Sequence, residues 1–151
     1  MKRHWVPACA GMTLLMSLAA AGADKPSFGK KAPDFLPVDQ AFELQPALWK
    51  ENGTVEVSRR ITKDYYLYRD RLKVTAAAPF KLGKPVLPPS LPYEDEHFGT
   101  VQIYRDRLVV TVPVETPTPE GKAINVTVVY QGCADAGLCY PPQTRKLEAT
   151  R

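Results

Sequence analysis

Fifteen prolines in 151 residues do more than any other feature to limit what this chain can fold into. Proline fixes φ and lacks an N–H, so it breaks helices and is confined to the edges, starts and turns of sheets. Pro79, Pro85, Pro88, Pro89, Pro92, Pro117 and Pro119 fall, with Asn52-Gly53, Gly83 and Gly121, between short runs rich in β-branched residues. From Thr54 to Ile61 the apolar Val55, Val57 and Ile61 alternate with polar residues, the spacing of one strand face. Tyr65 to Val74 reads as another strand, with Tyr66, Tyr68, Leu72 and Val74 on one face and Tyr65, Arg69 and Arg71 on the other. Val101 to Val114 forms one long run, Ile124 to Tyr130 alternates cleanly, and Thr144 to Leu147 returns along it. Phe42 and Leu44 suggest a short strand and turn within Val38 to Leu48, and no window has a convincing amphipathic helical period. Seven or so short strands between breakers predict an all-β fold, an immunoglobulin-like antiparallel β-sandwich. The same pattern argues against a thioredoxin fold, which needs helix-bearing βαβ units and a Cys-x-x-Cys at a helix start.

The first 23 residues have the pattern of an export signal. Lys2, Arg3 and His4 give a positive start, Gly11 to Ala21 is small and apolar, and Ala21-Gly22-Ala23 offers a cleavage site before Asp24. The apolar stretch is too short to span a bilayer, which takes roughly 18 residues or more. Residues 24–37 read as an extended lead-in, and 38–151 as one domain. Lys2 and Arg3 are the only residues of the signal that count toward the formal charge, so cleavage lowers it from +4 to +2. The remaining basic residues alternate with acids, as in Arg69-Asp70-Arg71 and Arg105-Asp106-Arg107, and this argues against a nucleic-acid surface. Export to an oxidising compartment allows a cysteine pair to stay joined.

Two segments echo each other: Tyr68-Arg69-Asp70-Arg71-Leu72 and Tyr104-Arg105-Asp106-Arg107-Leu108. Two copies do not make a repeat architecture, and they read as two strands with similar solvated faces.

Cys133 and Cys139 are the cysteines of the mature chain, Cys9 lying in the signal. The Ala-Asp-Ala-Gly-Leu between them is small and flexible enough to bring the Cα atoms within the roughly 4.4–6.8 Å that a disulfide requires. A loop this small is a poor staple, contributing about 2.4 kcal/mol by chain entropy against about 4.7 for a hundred-residue loop. The spacing alone favours an inert structural disulfide. It leaves open a site for partners at the end of a hairpin, where sandwich loops carry function. Two thiolates fall two ligands short of a closed zinc site, and His97 would have to supply a third, so neither metal nor cofactor is expected.

The run from Val129 to Thr144, with Gly132-Cys133-Ala134-Asp135-Ala136-Gly137-Leu138-Cys139-Tyr140-Pro141-Pro142 at its centre, closely resembles the active-site segment of the DsbD N-terminal periplasmic domain family of thiol:disulfide interchange proteins. Pro37 to Phe42, Asp64 to Arg69, Glu94-Asp95-Glu96 with the following aromatic and Gly99, and Ile103 to Leu108 match in the same order. The likeness extends from about Phe35 to Leu147.

The resemblance implies an immunoglobulin-like redox domain whose cysteine pair cycles between dithiol and disulfide. Its electrons would come from a thioredoxin-like donor and pass to periplasmic thioredoxin-like acceptors such as disulfide isomerases and the reductant for cytochrome c maturation. Cys139 would attack and Cys133 resolve. Asp95-Glu96-His97-Phe98-Gly99 matches the family's cap loop, with His97 aligned to the covering aromatic and Phe98 to a second one. A histidine there would add a pH-sensitive element to the cover. Tyr66 and Tyr68 match tyrosines lining the cysteine site, where a hydroxyl can donate to a thiolate. Asp135 would raise a nearby thiol's pKa unless its carboxylate points away. The family also carries a multispan membrane domain and a C-terminal thioredoxin-like domain, so a separately encoded membrane partner is an expectation for the segment seen here. The competing expectation is a non-catalytic periplasmic binding domain that keeps Cys133–Cys139 as a static crosslink.

Overall fold

β-branched residues at two-residue spacing assemble into two sheets that pack face to face. The structure, a computed structural model, describes residues 34–116 and 123–151. The export signal, most of the lead-in, and the breakers Pro117, Pro119 and Gly121 lie outside the described residues. One helical turn, α1 (Val38–Ala41), leads into β1 (Phe42–Leu44), β2 (Leu48–Trp49), β3 (Thr54–Ile61) and β4 (Tyr65–Tyr68). A 3-10 turn (Arg69–Arg71) precedes β5 (Lys73–Ala76), then β6 (Leu91–Asp95), β7 (Gly99–Tyr104) and β8 (Arg107–Pro113) follow. The chain closes with β9 (Ala123–Tyr130), β10 (Gly132–Ala134) and β11 (Gln143–Thr150). The fold is the expected all-β immunoglobulin-like sandwich.

In the larger, seven-stranded sheet β8 pairs with β3, which also pairs with β1 and β2, and the order runs on through β11 and β9 to β5. The smaller sheet has the order β10-β4-β7-β6. Pairing is antiparallel apart from one parallel bridge between Leu48 and Thr150. Val55, Val57 and Ile61 of β3, Leu108, Val110 and Val112 of β8, and Ile124, Val126 and Val128 of β9 are all buried between the sheets. Each such side chain contributes about 1.5–3 kcal/mol of burial. The proline-bearing stretch after β5 is not idle connection. Val86 exchanges backbone hydrogen bonds with Thr111, and Gly83 N–H donates to the Pro113 carbonyl, so this segment covers an edge of β8. Among the described residues Arg59 and Asp95 are buried charges; Arg59 stacks on the Tyr130 ring at 3.5 Å and donates to the Phe42 carbonyl oxygen, and burial lowers its pKa.

Two expected strands are each divided. Tyr65 to Val74 becomes β4 in the smaller sheet and β5 in the larger, with the 3-10 turn between them. Val101 to Val114 becomes β7 and β8, again one in each sheet, and Asp106 between them takes a positive φ of 61°. The two Tyr-Arg-Asp-Arg-Leu segments are therefore crossovers from the smaller sheet to the larger, not solvated strand faces. Apolar residues recur at even positions through the first crossover although the face they serve changes, from the outer face of β4 to the main core. Leu72 and Val74 thus join the main core, as does Tyr65, while Tyr66 and Tyr68 stay on the far face of β4. The expected strand in Val38 to Leu48 is likewise resolved into α1, β1 and β2.

Candidate functional site

β4 is buried on both faces. Tyr65 and Leu67 point into the main core, while Tyr66 and Tyr68 form a second cluster with Ile103 and Cys133 on the outer face of the smaller sheet. The cysteines therefore lie on a sheet face, and not only at a loop end as the sequence suggested. Cys133 is directly opposite Tyr66 in the β10–β4 register. Gly132 lets this strand approach, because a Cβ there would collide with the Tyr66 carbonyl oxygen and the Phe42 ring.

Cys133 and Cys139 are joined, with Cα atoms 4.0 Å apart. Ala134 N–H donates to the Leu138 carbonyl and Tyr140 N–H to the Gly132 carbonyl, so the cysteines form a non-hydrogen-bonded antiparallel pair flanked by ladder bonds. Opposed residues in such a pair are closer than in a hydrogen-bonded one, about 4.5 against 5.5 Å, which accounts for a separation under the expected range. Gly137, at φ 98°, makes the return turn possible. Cys133 is 0% exposed, whereas Cys139 is partly exposed and lines a cleft with His97, Glu96 and Gly137.

Asp95, the last residue of β6, ties the cluster to the turn before β7. Its Oδ2 accepts from the Tyr66 hydroxyl at 2.7 Å and the Tyr68 hydroxyl at 2.5 Å. Its Oδ1 accepts from the backbone N–H of His97 at 2.8 Å and of Phe98 at 3.1 Å. Burial pushes the carboxyl up, but the hydrogen bonds from Tyr68, Tyr66, His97 and Phe98 together outweigh it and hold the pKa down at about 2. The same carboxylate works the other way on the phenols. Burial first, then the bond to Asp95, pushes Tyr68 up to about 12 and raises Tyr66 further. Both phenols thus stay protonated at neutral pH.

The Tyr68 oxygen also lies 3.1 Å from Cys133 Sγ and 3.9 Å from Cys139 Sγ. A phenol has one proton, which Tyr68 gives to Asp95, and a disulfide sulfur carries no hydrogen, so in the joined state the Tyr68 oxygen and Cys133 Sγ touch without sharing a proton. On reduction, a Cys133 thiol can donate to Tyr68, an arrangement that favours the protonated form of Cys133.

In the 95–99 loop, the Phe98 ring packs edge-on against Tyr68, centroids 5.5 Å apart, and is 49% exposed. The Arg71 guanidinium stands over the same ring, 5.3 Å from its centroid. His97 is exposed beside the cleft that Cys139 opens on, and Glu96 also lines that cleft. Gly99 holds a positive φ of 69° at the start of β7, and this closes the turn. The ring against the tyrosine cluster is thus that of Phe98. Asp135 does not stand free beside the thiols: Arg105 grips it through two nitrogens, at 2.8 and 3.0 Å. Arg105 and Tyr93 were not singled out from the sequence, nor was Asp95 as an acceptor for both tyrosines. The period-two spacing of Tyr93 and Asp95 was the available signal, since it sets both on the face that β4 presents through Tyr66 and Tyr68. No group of three or more potential metal ligands occurs among the described residues.

An immunoglobulin-like domain with a paired Cys-x5-Cys on its outer sheet face defines a class of thiol–disulfide module. The family model for the N-terminal domain of the thiol:disulfide interchange protein DsbD matches residues 32–151, and the chain belongs to that family. DsbD of Cronobacter sakazakii is 42% identical over 135 residues, 89% of this chain and 22% of that protein. DsbD of Vibrio vulnificus is 38% identical over 144 residues, 93% of this chain and 23% of that protein. The chain thus spans about a fifth of the length of these relatives. The reduced N-terminal domain of Neisseria meningitidis DsbD superposes with a TM-score of 0.70 at 29% identity, covering 80% of this chain and 93% of that one. A second Neisseria meningitidis structure, of the complex between the DsbD and PilB N-terminal domains, gives 0.65 at 30% identity, with 78% and 88% covered.

Proposed function

We propose that this domain is a periplasmic protein-disulfide reductase module. It relays electrons through Cys133 and Cys139 from a thioredoxin-like donor to thioredoxin-like acceptors, disulfide isomerases and the reductant for cytochrome c maturation among them. A membrane partner encoded separately would complete the path, and an export signal over residues 1–23 would deliver the domain. The carrying observation is the asymmetry of the pair: Cys133 is 0% exposed and faces the Tyr68 oxygen, while Cys139 lines the cleft. The complex of the Neisseria meningitidis relative with a second N-terminal domain supports a protein as the partner.

The exchange balances in two displacements. The Cys139 thiolate attacks one sulfur of the acceptor's disulfide, forming a mixed disulfide and releasing an acceptor thiolate, which takes up a proton. Cys133 then loses its proton and attacks Cys139 Sγ, restoring the Cys133–Cys139 bond and releasing the second acceptor thiolate. Two electrons pass to the acceptor, and the donor returns them by the reverse sequence. Tyr68, held by Asp95, keeps Cys133 a thiol until the mixed disulfide exists. The loop of Asp95, Glu96, His97, Phe98 and Gly99 acts as the cover, with Phe98 over Tyr68 and His97 at the Cys139 side. Tyr66 shares the carboxylate and lies opposite Cys133.

Trapping tests this. Reduced Cys133→Ala and Cys139→Ala variants are each mixed with an oxidised periplasmic thioredoxin-like protein and run on non-reducing gels. A covalent adduct formed chiefly by Cys133→Ala, which retains Cys139, is expected. No adduct from either variant, with a wild-type disulfide that resists thioredoxin-like donors, would instead make the domain a static binding module. Structural disulfides have potentials below about −300 mV.

A further inference from the structure

The second Tyr-Arg-Asp-Arg-Leu crossover brings a cation to the cysteine hairpin. Arg105, just past the end of β7, meets Asp135, which lies between the two cysteines. Nη2 to Oδ1 is 2.8 Å and Nη1 to Oδ2 is 3.0 Å, the parallel two-point geometry that makes an arginine–carboxylate pair strong and directional. The guanidinium is fixed from its sides as well. Its carbon lies 5.3 Å from the Tyr66 ring and 5.4 Å from the Tyr93 ring, and Nη1 reaches the Tyr65 carbonyl oxygen at 3.4 Å. Asp135 is held at its other end by its backbone N–H, which donates to the Asp64 carbonyl at 2.9 Å. The hairpin that carries both sulfurs is thereby anchored to the ends of the inner strands β4 and β7 by charge, stacking and backbone together.

We infer that Arg105 is a positioning residue for the exchanging pair: it neutralises the carboxylate between the cysteines and so keeps the Cys139 thiol ionisable near neutral pH. Naming it a positioning residue for exchange rests on the function proposed above. The cleft that Cys139 lines is otherwise acidic. Asp95 and Glu96 line it from the β6–β7 turn and Asp135 from the hairpin, beside the rings of Tyr66, Tyr93 and His97. Like charges raise a thiol's pKa and slow the formation of its nucleophilic form. Asp95 is surrounded by four donors, which leaves Asp135 as a carboxylate whose effect on the thiol depends on a single partner.

The ion pair can be broken from either end, and the two cuts have opposite charge. In the reduced full chain, the rate of Cys139 alkylation by iodoacetamide is followed from pH 5 to 10 by peptide mass spectrometry. Arg105→Gln exposes the carboxylate and should move the profile to higher pH by roughly one unit, about a tenfold slower reaction at pH 7. Asp135→Asn leaves the guanidinium unopposed and should move it to lower pH. The double variant should return close to wild type, and Arg105→Lys should follow wild type because the charge remains. A purely mechanical anchor predicts that both single variants move in the same direction; that result, or no movement in either, overturns the inference. Thermal melts of the same proteins verify folding. The trapping experiment judges exchange separately: a wild type that forms no adduct ends the exchange proposal, while the order of the alkylation profiles still decides what Arg105 does to the thiol.

Discussion

Tyr68 to Leu72 and Tyr104 to Leu108 are the same five residues in the same role, the step from the smaller sheet to the larger, yet they put different side chains in the site. The β4–β7 register pairs Leu67 with Tyr104 and Tyr68 with Ile103. Directly opposed residues share a sheet face, so the two copies are out of phase by one residue, and a slip of one reverses every side chain. The first copy turns its tyrosine toward the cysteines and leaves Arg69 and Arg71 exposed. The second buries its tyrosine in the main core, hydroxyl to the Pro88 carbonyl, and brings its arginine to the cysteine hairpin. Identical sequence fixes the crossover; the register decides which residue is structural and which is chemical.

The comparison can be broken most severely at the leucines that end each copy. Leu108 is fully buried, and Leu108→Ala should cost about 2–5 kcal/mol in chemical denaturation. Leu72 is only partly buried, and its alanine variant should cost clearly less. Equal losses would mean that the two crossovers bear on one core alike.

Acid separates the two tyrosine environments next. Asp95 is held at about 2, below the ordinary carboxylate value of an unfolded chain. Its contribution is therefore complete above roughly pH 4 and is lost as the pH falls toward 2. The stabilisation is about 2 kcal/mol, and Asp95→Asn should flatten that part of the stability–pH curve. A variant curve parallel to wild type between pH 2 and 4 would remove Asp95 from the account.

Smaller effects test the tyrosines themselves. Tyr104→Phe loses one hydrogen bond, about 1 kcal/mol, and should leave Cys139 alkylation unchanged. Tyr68→Phe should cost about 1–3 kcal/mol by removing a donor from a buried carboxylate, and should also change the trapping rate several-fold. A trapping rate that responds equally to both would erase the distinction. Smallest in stability is Phe98→Ala, expected within about 0.5 kcal/mol at this half-exposed position. It should nevertheless speed alkylation of the reduced pair. His97→Phe in parallel, across pH 5 to 8, reads which of the two rings governs access.

The sequence carried a good part of this. The cysteine pair, β3 and the alternation of β9 were legible because a strand buried on one side writes its geometry as period two. The crossovers were not, since apolar alternation continues when the chain changes sheets and the register between distant strands leaves no local mark. Arg105 was passed over for that reason: its sequence copy, Arg69, is an exposed residue, and only the one-residue slip against β4 separates them. Asp95 was noticed for its place in a loop. Its main partners, Tyr66 and Tyr68, come from 29 and 27 residues earlier, beyond what local pattern can link.

The placement of the disulfide across a non-hydrogen-bonded pair bears on how such a module can signal its state. The two ladder bonds that flank the cysteines belong to their neighbours, so the S–S bond can open and close while the hairpin's backbone remains laced. In the exchange proposed above, a partner would meet the same laced backbone whether the sulfurs are joined or reduced. The two states would then differ by two electrons, two protons and the distance between two sulfurs, which makes the hairpin a rigid contact that holds or passes an electron pair.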